Sequence, residues 1–155
     1  MDNEMLARRI IEEAFSGNRP DVIDDLVAVD CVEHQRGLRP GRAGAKDTVA
    51  TLHRWFSDFS LTVEAVAVDG DTVWCRNRAR GINTGSVMGF PPTGRRFETD
   101  VLDIMRFEDG LMVEHWGVAD QLGLLIQLGL LQRPAPPAEG RDLVTAQASG
   151  GGSRR

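Results

Sequence analysis

Leu61-Thr-Val-Glu-Ala-Val-Ala-Val-Asp-Gly-Asp71 is the stretch on which the fold turns. Leu61, Val63, Ala65 and Ala67 alternate with Thr62, Glu64 and Val66, the two-residue period of a strand with one face buried. Asp69-Gly70-Asp71 is suited to reversing a strand, and Thr72 to Asn83 continues extended. The pattern recurs downstream, where Phe97 to Phe107, the tight turn Glu108-Asp109-Gly110 and Leu111 to Ala119 read as a second hairpin. Upstream the period is helical: Leu6, Ile10, Ala14 and Met5, Ile11, Phe15 recur from Asp2 to Phe15, with Asp2 or Asn3 available as N-cap. Pro20 opens a short helix through Leu26. After a polar, glycine-rich passage from Gln35 to Gly44, a third helical pattern joins Val49, Leu52, His53 and Phe56, broken by Asp58 and Ser60. A last helix runs from Gln121 to about Leu131. Helices followed by hairpins predict an α+β domain with helices covering one face of an antiparallel sheet. A parallel sheet is disfavoured, for want of helices between the strands.

The 155 residues suit one domain, over 1–131, with 132–155 as a flexible, linker-like tail. Lys and Arg number 18 against 23 Asp and Glu, so the net charge is −5, which sets the chain against a phosphate backbone. No apolar run approaches the ~20 residues of a membrane span, and the acidic start lacks the features of a secretory signal. The expectation is a cytoplasmic protein that binds neither nucleic acid nor membrane. Cys31 and Cys75 lack paired metal or redox spacing and read as two reduced, partly buried residues.

Motifs for phosphate, dinucleotide, nucleophilic-serine and zinc chemistry are missing from the sequence. The three histidines, His34, His53 and His115, are too widely spaced to specify a metal. On the last strand, parity puts Glu114, Trp116, Val118 and Asp120 on one side and His115 and Gly117 on the other. If Trp116 faces a cavity, Asp120 does too, and a carboxylate against an aromatic wall becomes a proton carrier near neutral pH. Asp120 equally fits the N-cap of the last helix. Trp74, Arg76, Arg78 and Arg80 share one parity, read as a solvated or subunit-facing surface paired with Glu98 or Asp100. Asn83, on the other parity, either donates to a substrate oxygen or completes a turn. His34 points inward in this reading, and Asp103, between Leu102 and Ile104, is the partner of a histidine or arginine.

Cys31-Val-Glu-His34, Gly81-Ile-Asn-Thr-Gly85, Met88-Gly-Phe-Pro-Pro-Thr-Gly94, Arg106-Phe-Glu-Asp-Gly110 and Glu114-His-Trp-Gly-Val-Ala-Asp120, followed by the helix ending Gln127-Leu-Gly129, occur in this order. Together they closely resemble the SnoaL-like polyketide and ester cyclases of the nuclear transport factor 2-like superfamily. The resemblance implies a cone: N-terminal helices packed in a curved antiparallel sheet around a deep apolar pocket, assembled as homodimers or homotetramers. It implies closure of the last ring of an aromatic polyketide by an intramolecular aldol reaction, without metal or organic cofactor. Carried over, Asp120 is the general acid/base, helped by His34. Asn83, Trp116, Trp55 and Phe90 would contact the substrate. Many members have His where this chain has Asn83. The same superfamily holds isomerases, epoxide hydrolases and pure binding proteins, so two alternatives stay open. One is an epoxide-opening or isomerising site that would need Arg78, Asp100 and Asp103 to face inward. The other is non-catalytic binding of a small molecule.

Overall fold

A computed structural model describes residues 2–133 and 135, so the expected tail falls almost wholly outside the described residues. The Asp2 carboxylate accepts from the Met5 backbone N–H at 2.8 Å and starts α1 (Asn3–Arg8), which continues unbroken into a π-helical stretch, Arg9–Ser16. Leu6, Ala7, Ile10, Ile11 and Ala14 form its buried stripe. Pro20 opens α2 (Pro20–Leu26) as expected. Strand β1 (Val27–Glu33) follows at once, then α3 (Gly41–Trp55), β2 (Phe56–Asp69), β3 (Thr72–Asn83), β4 (Arg96–Glu108), β5 (Leu111–Ala119) and α4 (Gln121–Gln127). Asp109 and Gly110 take φ of 50° and 79°, the left-handed pair that a two-residue hairpin needs.

The five strands form one sheet in the order β1-β5-β4-β3-β2. Four of them are antiparallel neighbours, but β1 runs parallel to β5, pairing Val27 with Met112 and Glu33 with His115. The sheet is therefore mixed. Val27 to Val32 carries no strand signal as clear as the hairpins do, because a parallel edge strand brings no tight turn to announce it. Register shifts between Ser57 and Ser60, and again between Val63 and Ala65, mark bulges in β2, which bend a strand over whatever it covers.

The helices lie against the concave face, where Val73, Cys75, Ala79, Phe97, Met105, Phe107 and Met112 are buried with the α1 stripe. Helical side chains also cover the free edge of β2: Ser16 Oγ accepts from Leu61 N at 3.0 Å, and Glu12 Oε1 from Val63 N at 3.3 Å. The convex face carries Arg76, Arg78 and Arg80, whose expected cross-strand partners are present. Arg78 reaches Glu98 at 2.9 Å and Asp100 at 3.2 Å, and Arg80 reaches Glu98 at 2.6 Å. Beside this ladder Trp74, Leu102 and Val118 form an exposed apolar strip with Ile104 and Trp116. Among the described residues no helix is long and apolar enough to cross a membrane.

Candidate active site

At the end of β1 the two-residue period turns Glu33 to the concave side and His34 to the convex side. On β5 the same period separates His115 from Trp116, and on β4 it separates Asp103 from Leu102 and Ile104. Register then brings the inward set together. His115 Nδ1 lies 2.9 Å from Glu33 Oε2, and His115 Nε2 lies 3.0 Å from Asp103 Oδ1. Asn77 of β3 donates from Nδ2 to Asp103 Oδ2 at 2.6 Å. Four strands thus contribute one hydrogen-bonded row across the sheet, in the order Glu33, His115, Asp103, Asn77.

With a carboxylate at hydrogen-bond distance from each ring nitrogen, the imidazole carries both protons and donates both. Burial opposes the charge on His115, but the hydrogen bonds to Asp103 and Glu33 outweigh it and push the imidazolium up to about 9. At neutral pH the row holds one cation between two acceptors. The three side chains retain 10–14% exposure, so a ligand atom can reach them, whereas Asn77 is fully enclosed and its Oδ1 has no partner among the described residues. Nearby Cys31 and Cys75 are buried and their thiols are pushed up to about 11, chiefly by burial. Neither is a nucleophile at neutral pH.

The residues singled out in the sequence fall elsewhere. Asp120 is exposed, and its carboxylate accepts from Gly123 N at 2.8 Å as the N-cap of α4. That is its alternative reading, and the desolvated setting beside an aromatic wall is not met. Trp116 projects from the convex face opposite Ile104, with the His34 ring stacked on it at 4.5 Å and 5°. His34 points outward, not inward, bonding to Glu114 Oε1 at 2.8 Å. Glu114 is held below the usual carboxylate range by His34 and then by Arg106.

Asn83 completes a turn. Fully buried, it donates to Gly85 O at 2.7 Å and to Trp55 O at 3.4 Å, while its Oδ1 accepts from Thr93 N at 2.9 Å and Thr93 Oγ1 at 3.0 Å. No donor is left for a substrate. It also lies six positions beyond Asn77 on β3, roughly 20 Å along the strand. Trp55 sits at the same end, its ring edge-on to Phe56 at 6.2 Å, and Phe90 is bridged to Val87 in the loop between β3 and β4. The structure does not bring either to the row. Arg78 and Asp100 are paired on the convex face while Asp103 is inside, so the cluster required for epoxide opening is not assembled.

Two residues of the row, Glu33 and Asn77, received no role from the sequence. Asp103 as the partner of a histidine was legible, and the histidine is His115. Trp116, being on the outer face, walls no inner hollow; the inner face of the sheet packs instead against side chains such as Ile10 and Ile11, with Met105 buried among them. A cleft of about 500 Å³ opens elsewhere, between walls that include the charged Asp58, Arg80, Arg96 and Glu98 and the neutral Gln127. Above it the Gln127 amide pairs with the backbone of Glu98, accepting from N at 3.0 Å and donating to O at 2.9 Å, where β5 has already ended.

Comparison with known proteins agrees with this fold. A family model described as SnoaL-like polyketide cyclase matches residues 5–128. Aklanonic acid methyl ester cyclase DauD of Streptomyces sp. (strain C5) is 30% identical over 87% of this chain and 84% of its own length. Aklanonic acid methyl ester cyclase DnrD of Streptomyces peucetius is likewise 30% identical, over 87% of this chain and 94% of its own length. Among solved structures, TsrD from Streptomyces laurentii superposes with a TM-score of 0.78 at 29% identity, covering 84% of this chain and 99% of that one.

Proposed function

Because the chain belongs to the SnoaL-like polyketide cyclase family, we propose that it closes a ring in an aromatic polyketide or polyketide ester by an intramolecular aldol reaction, with Glu33 and His115 as the working groups in place of Asp120 and His34. The observation that carries this reading is the imidazolium held between two carboxylates on the concave face. Among the described residues Glu33 Oε2 accepts only from His115, so it has a lone pair to spare for an acidic C–H next to a carbonyl. As the proton leaves carbon, Glu33 becomes neutral and the electron pair passes into the enolate. The enolate carbon attacks the ketone carbon and forms the ring bond, and the alkoxide takes the proton back from Glu33. Nothing is lost or gained, and the product has the mass of the substrate. His115 stays protonated throughout and faces the developing negative charge, while Asp103 and Asn77 fix the plane of its ring.

The test uses aklanonic acid methyl ester, the substrate named for the similar proteins, followed by mass spectrometry at unchanged mass. Glu33→Gln is expected to lower the rate about 10²- to 10⁴-fold, the usual worth of a positioned base. Asp120→Asn should leave it intact, because asparagine caps a helix as well as aspartate. Loss of rate in Asp120→Asn with Glu33→Gln unaffected would return the chemistry to the end of β5. Binding without turnover in the wild type would favour a carrier.

Trp74, Leu102 and Val118, exposed side by side next to a ladder of ion pairs, support docking of a second copy through the convex face. Trp74→Glu, on the opposite face of the sheet from the inner row, is expected to shift the sedimentation velocity boundary to that of a monomer without unfolding the chain.

A further inference from the structure

Gly117 lies within β5 and is not one of the positive-φ glycines, so its backbone does not require the absence of a side chain. Space does. A Cβ there would stand 2.0 Å from Gln35 Oε1 and 3.0 Å from both Gln35 Cδ and His115 Cε1. The missing side chain therefore seats the Gln35 carboxamide against β5, in the angle beside the His115 ring. The rest of Gln35 is held firmly: its N–H donates to Glu33 Oε1 at 2.7 Å, and its carbonyl accepts from Leu38 N at 3.3 Å. The carboxamide itself makes no hydrogen bond among the described residues. Both N–H groups of His115 are committed to carboxylates and Asn77 is fully enclosed, which leaves Gln35, among the described residues, as the partly exposed group at the row with uncommitted donors.

We propose that Gln35 is a further catalytic residue, its carboxamide N–H donating to the carbonyl oxygen that gains negative charge when Glu33 removes the neighbouring proton. This role for Gln35 rests on the reading of Glu33 as base. Glu33 and Gln35 are two positions apart, and the Gln35 backbone N–H donates to the Glu33 carboxylate, so in this proposal the C–H taken and the oxygen bound belong to adjoining atoms of the ligand. The substrate class this geometry selects is an enolisable carbonyl, a ketone or ester with its acidic carbon directly beside the C=O.

Two measurements test it. With aklanonic acid methyl ester, Gln35→Ala is expected to lower kcat about 10²-fold, the cost of one lost oxyanion donor, with KM and melting temperature little changed. Gly117→Ala, which displaces the carboxamide, should lower kcat in parallel. In a Glu33→Gln background, which imitates the protonated base, 1-naphtholate titrated by absorbance should bind about tenfold more weakly, or worse, once Gln35→Ala is added. Naphthalene, with no oxygen to hold, should bind equally to both. Unchanged kcat in Gln35→Ala, a loss confined to KM, or equal naphtholate affinity would overturn the role of Gln35. A wild-type rate indifferent to Glu33→Gln would overturn the base instead, and the naphtholate arm separates the two failures because it needs no turnover.

Discussion

His115→Ala is expected to lose about 3–5 kcal/mol of stability in urea denaturation at pH 7, because it strips the cation from between two largely enclosed carboxylates. The penalty comes from the charges left behind, so pairing it with Asp103→Asn should restore a large part of it. The wild type carries a second signature. Its His115 holds a proton to about pH 9, against about 6.5 for an ordinary histidine, since hydrogen bonds to Asp103 and Glu33 overcome the effect of burial. The folded chain therefore binds this proton more tightly than the unfolded one. The resulting stability is complete below about pH 6.5 and drains away as pH climbs through 9, at a slope of at most about 1.4 kcal/mol per pH unit. The His115→Ala chain should lack this falling limb. A wild-type stability curve that stays flat between about pH 6.5 and 9.5 would mean that the ring is neutral and the electrostatic role given to it is wrong.

Asn83→Leu, nearly isosteric, is expected to cost on the order of 3 kcal/mol for a different reason. The asparagine satisfies the backbone of Gly85 and Trp55 on one side and Thr93 on the other, all from a fully buried position. Leucine leaves those groups dry and unpaired, at about 1–3 kcal/mol for each that finds no water. Amide exchange at Thr93 should accelerate in the variant while the amides of β5 remain protected. If the loop between β3 and β4 exchanges no faster, the hydrogen bonds of Asn83 contribute little and the side chain is free for another duty.

Helix and strand identities were readable because their periods are strong: Leu6, Ile10 and Ala14 at helical spacing, Leu61 to Ala67 at the spacing of a strand. The family was readable from the ordered motifs between Cys31 and Gly129. The site was half readable. Parity correctly grouped His115 with Gly117 against Trp116 with Val118, but parity alone does not say which group faces the helices. A large aromatic makes a natural cavity wall, whereas Trp116 lines the outer face with Trp74 and Ile104. One residue of offset along β1 likewise exchanges His34 for Glu33. The information needed was register: once Arg78 pairs with Asp100 outside, Asp103 must be inside, and its diagonal neighbour on β5 is His115. Glu33 gave no local sign, because its strand is joined to β5 only by the distant fold of the chain.

That distance has a consequence for how the protein comes into being. Glu33 and His115 are separated by 82 residues. At about 5–20 residues per second, the carboxylate leaves the ribosome several seconds before the imidazole that will neutralise it has been synthesised. During that wait the edge strand has no neighbour and the acid stays hydrated. Contacts of such long range close slowly, and the loop entropy they cost is recovered only at the end. Closure of β1 onto β5 is thus expected late on the folding route, and a nascent chain completes its hydrogen-bonded row only when almost the whole domain is in place.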